Sequence, residues 1–233
     1  MLRPGAAIEP IGDHAMSAPR SNPNVHHIWV LLAGIALLAG CGGVLTPRAQ
    51  DPDLHVLAAR PAPKPPLVKP EVVLEVSVPR AYSGYDTPRM AYVQKPFVLD
   101  YYADNRWADA PAHMVGSLLT QALERSGNFR AVVQAPTAIP ADIRVNTELV
   151  RLQQSFATKP SRAELAFRVQ LIDVRARRVL ATRSFEETEN ATSEDAAGGV
   201  AAANVALERV LAQIVEFCVV ETANRSAATS LGP

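Results

Sequence analysis

The residues Ile143-Arg144-Val145-Asn146-Thr147-Glu148-Leu149 decide the fold, because apolar and polar side chains alternate along them. Such alternation is typical of a β-strand with one buried face and one wet face. The pattern predicts one strand over 141–154 and a second over 163–174, joined by a hairpin loop at 155–161. A third strand at 179–187 follows a tight polar turn. The three strands form an antiparallel meander, whose outward arginines we interpret as a solvated face.

Two helices are predicted to pack on one face of this sheet. The first begins at Asp109-Ala110-Pro111, where Asp suits the N-cap and Pro suits the first turn, and it ends at Ser126-Gly127. The second carries an apolar stripe at helical spacing that ends near Cys218, which we interpret as a small buried hydrophobe. Residues 222–233 are small and polar, and they are predicted to be a disordered tail.

Further strands are predicted upstream and between the helices. Residues 71–78 alternate and indicate a half-buried strand. The Pro-rich segment 61–70 is expected to run along the surface, because proline lacks the donor that a central strand needs. Shorter strands are predicted at 54–58, 89–93, 97–102 and 129–133. The fold class is therefore α+β, an α/β sandwich with a mixed, largely antiparallel sheet of about five to seven strands and two main helices on one face.

An export signal precedes this domain. Residues 28–39 are apolar and uncharged. At about a dozen residues this run is too short for a transmembrane helix, which needs ~20. The sequence Leu38-Ala39-Gly40-Cys41 looks like the lipobox of bacterial lipoproteins, in which the Cys thiol takes a diacylglyceryl group before cleavage and the new amino group is then acylated, for example by palmitate. We therefore predict that residues 1–40 are a removed signal peptide, with Met16 as an alternative start.

The residues after the lipidated Cys41 indicate where the protein is held. Residues 41–53 are predicted to be a tether, and residues 54–221 the domain that it presents to the periplasm. Gly42 follows the cysteine, whereas an Asp at that place retains enterobacterial lipoproteins in the inner membrane. The sequence therefore favours the outer membrane, with the protein anchored to it without crossing it.

The composition excludes several classes of function. The chain of 233 residues has 23 basic and 23 acidic side chains, so charge gives no case for nucleic-acid binding. With Cys41 lipidated, Cys218 has no partner for a disulfide. The sequence contains no Cys/His cluster for zinc and no hydrolase, metalloprotease or phosphate-loop motif. We therefore expect no enzyme, no metal and no cofactor.

The most distinctive stretch is 79–130, which holds most of the aromatic residues. It contains four motifs in this order: Gly84-Tyr85-Asp86-Thr87-Pro88-Arg89-Met90-Ala91-Tyr92, Leu99-Asp100-Tyr101-Tyr102, Trp107-Ala108-Asp109-Ala110-Pro111 and Leu123-Glu124-Arg125-Ser126-Gly127-Asn128-Phe129. Downstream of a lipobox, these motifs resemble the ABC-type transport auxiliary lipoprotein family over about residues 54–220. The resemblance implies a non-enzymatic periplasmic accessory of MCE-type (mammalian-cell-entry) lipid transport systems. It also implies partners, namely an MCE-domain protein with its ABC permease and ATPase, and phospholipid as the possible cargo.

Five residues of this stretch are candidate partner contacts: Tyr82, Tyr85, Asp86, Arg89 and Trp107. Aromatic and Arg side chains are the types that anchor protein interfaces. A plainer interpretation stays open, in which Asp86 and Arg89 satisfy a loop and Trp107 packs at the start of the first helix.

Two other functions also stay open. Small α/β lipoproteins on flexible tethers can reach through the cell wall, so the chain is alternatively a regulator of peptidoglycan synthesis. A lipid-binding lipoprotein is the other alternative, and it requires a cavity lined by residues such as Phe97, Leu99 and Phe167.

Overall fold

The computed structural model describes residues 51–62, 65–66 and 71–230. These residues form nine strands and two helices. The strands are β1 (Asp53–His55), β2 (Val73–Val76), β3 (Arg80–Ala81), β4 (Arg89–Lys95), β5 (Val98–Trp107), β6 (Ala131–Gln134), β7 (Ile143–Ser155), β8 (Arg162–Asp173) and β9 (Arg178–Asn190). The helices are α1 (Pro111–Arg125) and α2 (Ala196–Ser230). The predicted signal peptide, Cys41 and the tether up to residue 50 lie outside the described residues.

Strand β7 organises the sheet. One of its edges pairs with β8 in antiparallel register, and β8 pairs in the same way with β9, so the predicted meander is confirmed. Its other edge pairs in parallel with three shorter strands in succession: β2, β3 and β4. Beyond them, β2 pairs with β6, β4 with β5, and β5 with β1. The α+β class and the mixed sheet are as predicted.

The strand number exceeds the predicted five to seven because several strands are very short. β1 and β3 have three and two residues, too few to show an alternating pattern. Each of them pairs in parallel with a longer strand that lies far away in the sequence. Their existence is therefore decided by the long neighbour and not by their own residues.

Both helices contact β7 and each other, and α2 also packs on β8 and β9. They cover the apolar face that the alternation predicts, where Ile143, Val145 and Leu149 have no exposed surface. Cys218 on α2 is also fully buried, and burial raises the pKa of its thiol to about 12. Its interpretation as a small buried hydrophobe is confirmed. In the described part of the chain, neither helix is long and apolar enough to cross a lipid bilayer.

Strand β2 is shorter and more deeply buried than predicted. It covers Val73–Val76 where the sequence suggests 71–78. Successive residues of a strand point to opposite faces, and both Val73 and Leu74 are buried. The half-buried assignment is therefore wrong. Parallel neighbours on both edges, β6 and β7, make β2 an interior strand.

The prediction of a disordered tail from residue 222 is wrong as far as the structure describes it, because α2 continues to Ser230. Thr222 is buried, and its hydroxyl donates to the Cys218 carbonyl at 2.6 Å. One turn later, Arg225 Nε lies 2.7 Å from Asp173 Oδ2 at the end of β8. These polar contacts continue the helix past the point where its apolar stripe ends.

The Pro-rich segment is only partly described. Pro61, Ala62, Pro65 and Pro66 have no regular structure, as expected from proline, and Pro61 is buried while the other three are exposed. Arginines of the wet face pair with carboxylates, as Arg144 does with Glu75 at 3.1 Å. That pairing supports the interpretation of a solvated face.

Candidate functional site

Three of the five candidate contact residues, Tyr82, Tyr85 and Asp86, lie in the loop between β3 and β4, and Arg89 is the first residue of β4. We call residues 82–89 the Tyr82 loop. The loop runs alongside β7, because β3 and β4 pair with successive parts of that strand. The Tyr82 N–H donates to the Leu149 carbonyl at 3.0 Å, and the Tyr82 carbonyl accepts from the N–H groups of Tyr85 and Asp86 at 2.7 and 3.0 Å. Backbone hydrogen bonds therefore fix the course of the loop at its start.

Tyr85 fastens the middle of the loop to β7. Its hydroxyl donates to Gln153 Oε1 at 2.6 Å, and the Gln153 amide in turn donates to Glu164 Oε2 at 3.0 Å. The side chain is half-buried, and this burial raises the pKa of Tyr85. Tyr85 is therefore a neutral donor at physiological pH. Its main role is to hold the loop against β7, and it contributes less to the exposed surface.

Arg89 is held across the neighbouring strand. Its guanidinium carbon lies 3.9 Å from the centroid of the Tyr101 ring on β5, in a cation–π arrangement. The Tyr101 hydroxyl donates to the Gly84 carbonyl at 2.9 Å. A Cβ at Gly84 would lie 2.9 Å from Leu99 Cδ2, so glycine lets the loop approach β5 closely. Tyr101 thus links the two ends of the loop.

The surface that results is formed by Tyr82, Asp86 and Arg89, which are exposed. Tyr82 is 48% exposed, so about half of its side chain is available for a contact. Trp107 differs, because it is only 5% exposed and belongs to the core. Its backbone N–H donates to the Pro88 carbonyl at 2.8 Å, which joins the end of β5 to the end of the Tyr82 loop. We remove Trp107 from the candidate contacts.

Sequence reasoning missed two residues that shape this surface, Tyr101 and Gln153. The Tyr101 ring is part of a separate motif, and Gln153 is 68 residues from Tyr85. No local pattern connects residues at such a separation. Only the pairing of β4 with both β5 and β7 brings them to the loop.

We expect the Tyr85→Phe variant to lose about 1 kcal/mol of unfolding free energy, because it removes one neutral hydrogen bond and leaves Gln153 Oε1 without that donor. Urea denaturation of the variant and the parent measures the difference. Tyr82→Phe is the matched control, since its exposed hydroxyl should contribute almost nothing. Equal losses in the two variants would contradict the anchoring role of Tyr85.

The cavity required by the lipid-binding alternative is not formed by its three residues. Phe97 lies at the tip of the β4–β5 hairpin and is fully exposed, whereas Phe167 is 1% exposed in the core. Leu99 faces Gly84 in the Tyr82 loop. Since the two phenylalanines lie in such different surroundings, the expectation of a common lining is wrong.

Comparison with known proteins gives the family. The profile of the ABC-type transport auxiliary lipoprotein component matches residues 55–215. The crystal structure of a Xanthomonas campestris protein assigned to family DUF330 is similar, with a TM-score of 0.68 and 25% identity over 75% of this chain and 99% of that chain. A second crystal structure, of an uncharacterized protein, has a TM-score of 0.58 at 12% identity over 72% of this chain and 99% of that chain, which shows the fold alone. No curated protein sequence matches the chain.

The matched range begins at the last residue of β1 and contains β2 to β9, α1 and more than half of α2. It also contains all four motifs on which the resemblance was based. The resemblance is therefore confirmed over nearly the whole described domain, and the chain belongs to the ABC-type transport auxiliary lipoprotein family.

Proposed function

We propose that the protein is a lipid-anchored auxiliary component of an ABC-type, MCE-linked phospholipid transport system, held at the periplasmic face of the outer membrane. It acts by protein contact and tethering, not by catalysis. The observation that carries this proposal is the family match over residues 55–215. The Tyr82 loop forms an exposed surface on β7, and this supports a partner contact there.

The Tyr82 loop suits a partner contact because it is already ordered. Its backbone is fixed to β7, and Arg89 is held over Tyr101 before any partner arrives. A surface that is rigid when free loses little conformational entropy on binding. Tyr and Arg are also the residue types that contribute most to interface energies. We therefore assign the MCE-domain protein, with its permease and ATPase, to this face.

Anchoring is proposed to come from Cys41. Each buried CH₂ of an acyl chain contributes about 0.8 kcal/mol, so two or three chains hold a protein firmly in a membrane. Gly42, in place of a retention Asp, supports the outer membrane as the location. The tether then lets the domain reach a partner that spans the periplasm.

A crosslinked pull-down tests the proposal directly. The lipidated protein with a C-terminal tag is crosslinked in cells, and the retained proteins are identified by mass spectrometry. Recovery of an MCE-domain protein with its permease supports the transport function. Recovery of a penicillin-binding protein, with no transporter component above the untagged control, would overturn it in favour of the regulator of peptidoglycan synthesis.

The contact surface gives a sharper prediction. We expect Arg89→Ala to lower recovery of the transporter components about tenfold, the effect of losing one interface anchor of about 1.4 kcal/mol. Arg178→Ala is the matched control, because Arg178 is exposed on β9, away from the Tyr82 loop. If both variants recover the partners equally well, the Tyr82 loop is not the contact surface.

A further inference from the structure

The hairpin between β4 and β5 ends in Lys95-Pro96-Phe97-Val98, and its apolar side chains face solvent. Phe97 is fully exposed and Val98 is 43% exposed. The φ angle of Phe97 is +66°, in the left-handed region that bulky residues rarely adopt. A fully exposed aromatic side chain on such a backbone is not explained by packing within the domain. It is typical of a contact with something outside it.

A second hairpin tip lies beside the first. The β7–β8 hairpin turns at residues 156–160, and β4 runs parallel to the end of β7, with Tyr92 opposite Gln154. The Phe156 N–H donates to the Val93 carbonyl at 2.8 Å. The two strands therefore end side by side, at the same end of the sheet. We call residues 94–98 and 156–160 together the tip pair.

The charges at the tip pair are of one sign. The whole chain has only four lysines, and the two that lie in described residues are Lys95 and Lys159, one exposed in each tip. Neither tip contains Asp or Glu. The first carboxylate after the β4–β5 tip in the sequence is that of Asp100 on β5, and it is exposed.

Two further carboxylates at this end of the sheet have partners within the protein. Glu194 accepts from the Ser161 N–H at 3.0 Å, and Asp195 accepts from the Gly198 N–H at 2.8 Å. Phe beside lysines is a combination typical of protein segments that lie in the headgroup region of a bilayer. The tip pair therefore complements a surface of phospholipid phosphates.

The chain approaches the domain from the direction of the hairpin tip, although it first pairs with the other end of β5. β1 runs parallel to β5, with Asp53 opposite Asn105. Because the two strands are parallel, the residues before Asp53 lead toward the hairpin tip. Val98 at that tip is about 23 Å from Asn105 along β5. Asp51 is ten residues after Cys41 in the sequence, a length that spans at most about 35 Å. An anchor at Cys41 is thus within reach of the membrane surface that the tip pair would touch.

We propose that the tip pair is a second membrane contact, which docks the domain on the phospholipid surface that holds its acyl anchor. Phe97 and Val98 enter the boundary between headgroups and acyl chains, while Lys95 and Lys159 bind phosphates. The inference rests on the anchoring at Cys41 in the proposed function. Docking fixes the orientation of the domain, which an anchor on a flexible tether does not.

The test uses the full-length lipidated protein in vesicles of phosphatidylethanolamine and phosphatidylglycerol in equal amounts. An environment-sensitive fluorophore is placed on Pro96→Cys, which leaves Phe97 intact. Fully buried Cys218 does not compete for the label. Val179→Cys is the matched control, because Val179 is 50% exposed just after the β8–β9 turn, at the opposite end of β8 from the tip pair. Brominated phospholipid should quench the label at position 96 and not at position 179.

A second set of variants separates the contributions. Phe97→Ser in the Pro96→Cys background should lower the docked-to-undocked ratio about tenfold, and Lys95→Glu with Lys159→Glu should lower it by a similar factor at low salt. Both changes are at exposed positions and should leave the fold intact.

The outcomes distinguish the two proposals. A protein that does not float with vesicles lacks the anchor, and the proposed anchoring fails. A protein that floats while its label at position 96 stays unquenched overturns the tip-pair contact alone. A label that is shielded only when the partner proteins are added would make the tip pair a protein contact, which also overturns the inference.

Discussion

The Gly198→Ala variant is expected to unfold with about 3 kcal/mol less free energy than the parent. An added Cβ at Gly198 would lie 2.3 Å from the Ser193 carbonyl oxygen and 2.6 Å from the Ser193 nitrogen. These are backbone atoms, which cannot move aside as a side chain can, so the loop before α2 must shift. Overpacking of this kind costs about 1–3 kcal/mol, and a backbone clash belongs at the upper end.

Helix propensity predicts the opposite sign for this change. Gly to Ala within a helix normally stabilises by about 0.5–1 kcal/mol, and the surrounding sequence is rich in alanine. Thermal unfolding should therefore distinguish the steric clash from helix propensity. The clash predicts that the midpoint falls by about 10 °C in a domain of this size. Ala197→Gly, at an exposed position in the same turn, is the control and should cost no more than about 1 kcal/mol. A midpoint that rises in Gly198→Ala would refute the steric explanation.

The Arg225→Ala variant should lose about 2 kcal/mol at neutral pH. Arg225 pairs with Asp173 at 2.7 Å, and both side chains are largely buried, with 17% and 7% of their surface exposed. Removing one partner of a buried pair leaves an uncompensated charge, which typically costs 3–5 kcal/mol. The Asp173 carboxylate keeps the hydrogen bond from the Ala176 N–H at 2.9 Å, so we expect a smaller loss.

The effect of this pair depends on pH in a defined direction. The hydrogen bond from Arg225 holds the pKa of Asp173 below its usual value. A carboxyl group whose pKa is lowered by folding stabilises the protein above its unfolded pKa, near 4, and loses that contribution as the pH falls through the folded pKa. The difference between the parent and Arg225→Ala should therefore be complete at pH 7 and shrink below about pH 4.

Urea denaturation at a series of pH values measures this dependence. Arg175→Ala is the matched control, because Arg175 pairs with Asp142 at 3.3 Å but is 81% exposed. Exposed ion pairs contribute about 0–1 kcal/mol, so this variant should stay close to the parent. If the two Arg variants behave alike, the end of α2 is not held by a buried ion pair.

These two sites show which parts of the fold were open to prediction. The apolar stripe of α2 predicts where the helix packs, and Cys218 lies within it as expected. The stripe does not predict the last turns, because their stability comes from Asp173, 52 residues away. A polar sequence that suggests disorder is thus helical when a distant charge pairs with it.

In the candidate site, too, local sequence predicted some features and distant contacts decided the others. Tyr82, Asp86 and Arg89 form an exposed surface, and local sequence suggested them through residue type alone. Trp107 has the same favourable residue type but is in the core, since aromatic residues serve packing and contact equally well. Exposure separates these two uses, and exposure depends on neighbours from other strands.

The sequence by itself determined the family, the α+β class, the long meander of β7 to β9 and the apolar face under the two helices. These features depend on periodicity and motifs, which are local and repeat within one strand or helix. The tertiary structure decided the short parallel strands along β7, the buried position of Trp107, the last turns of α2 and the pairing of the two hairpin tips. These depend on contacts between residues far apart in the chain, and such contacts leave no local pattern because folding alone brings their partners together.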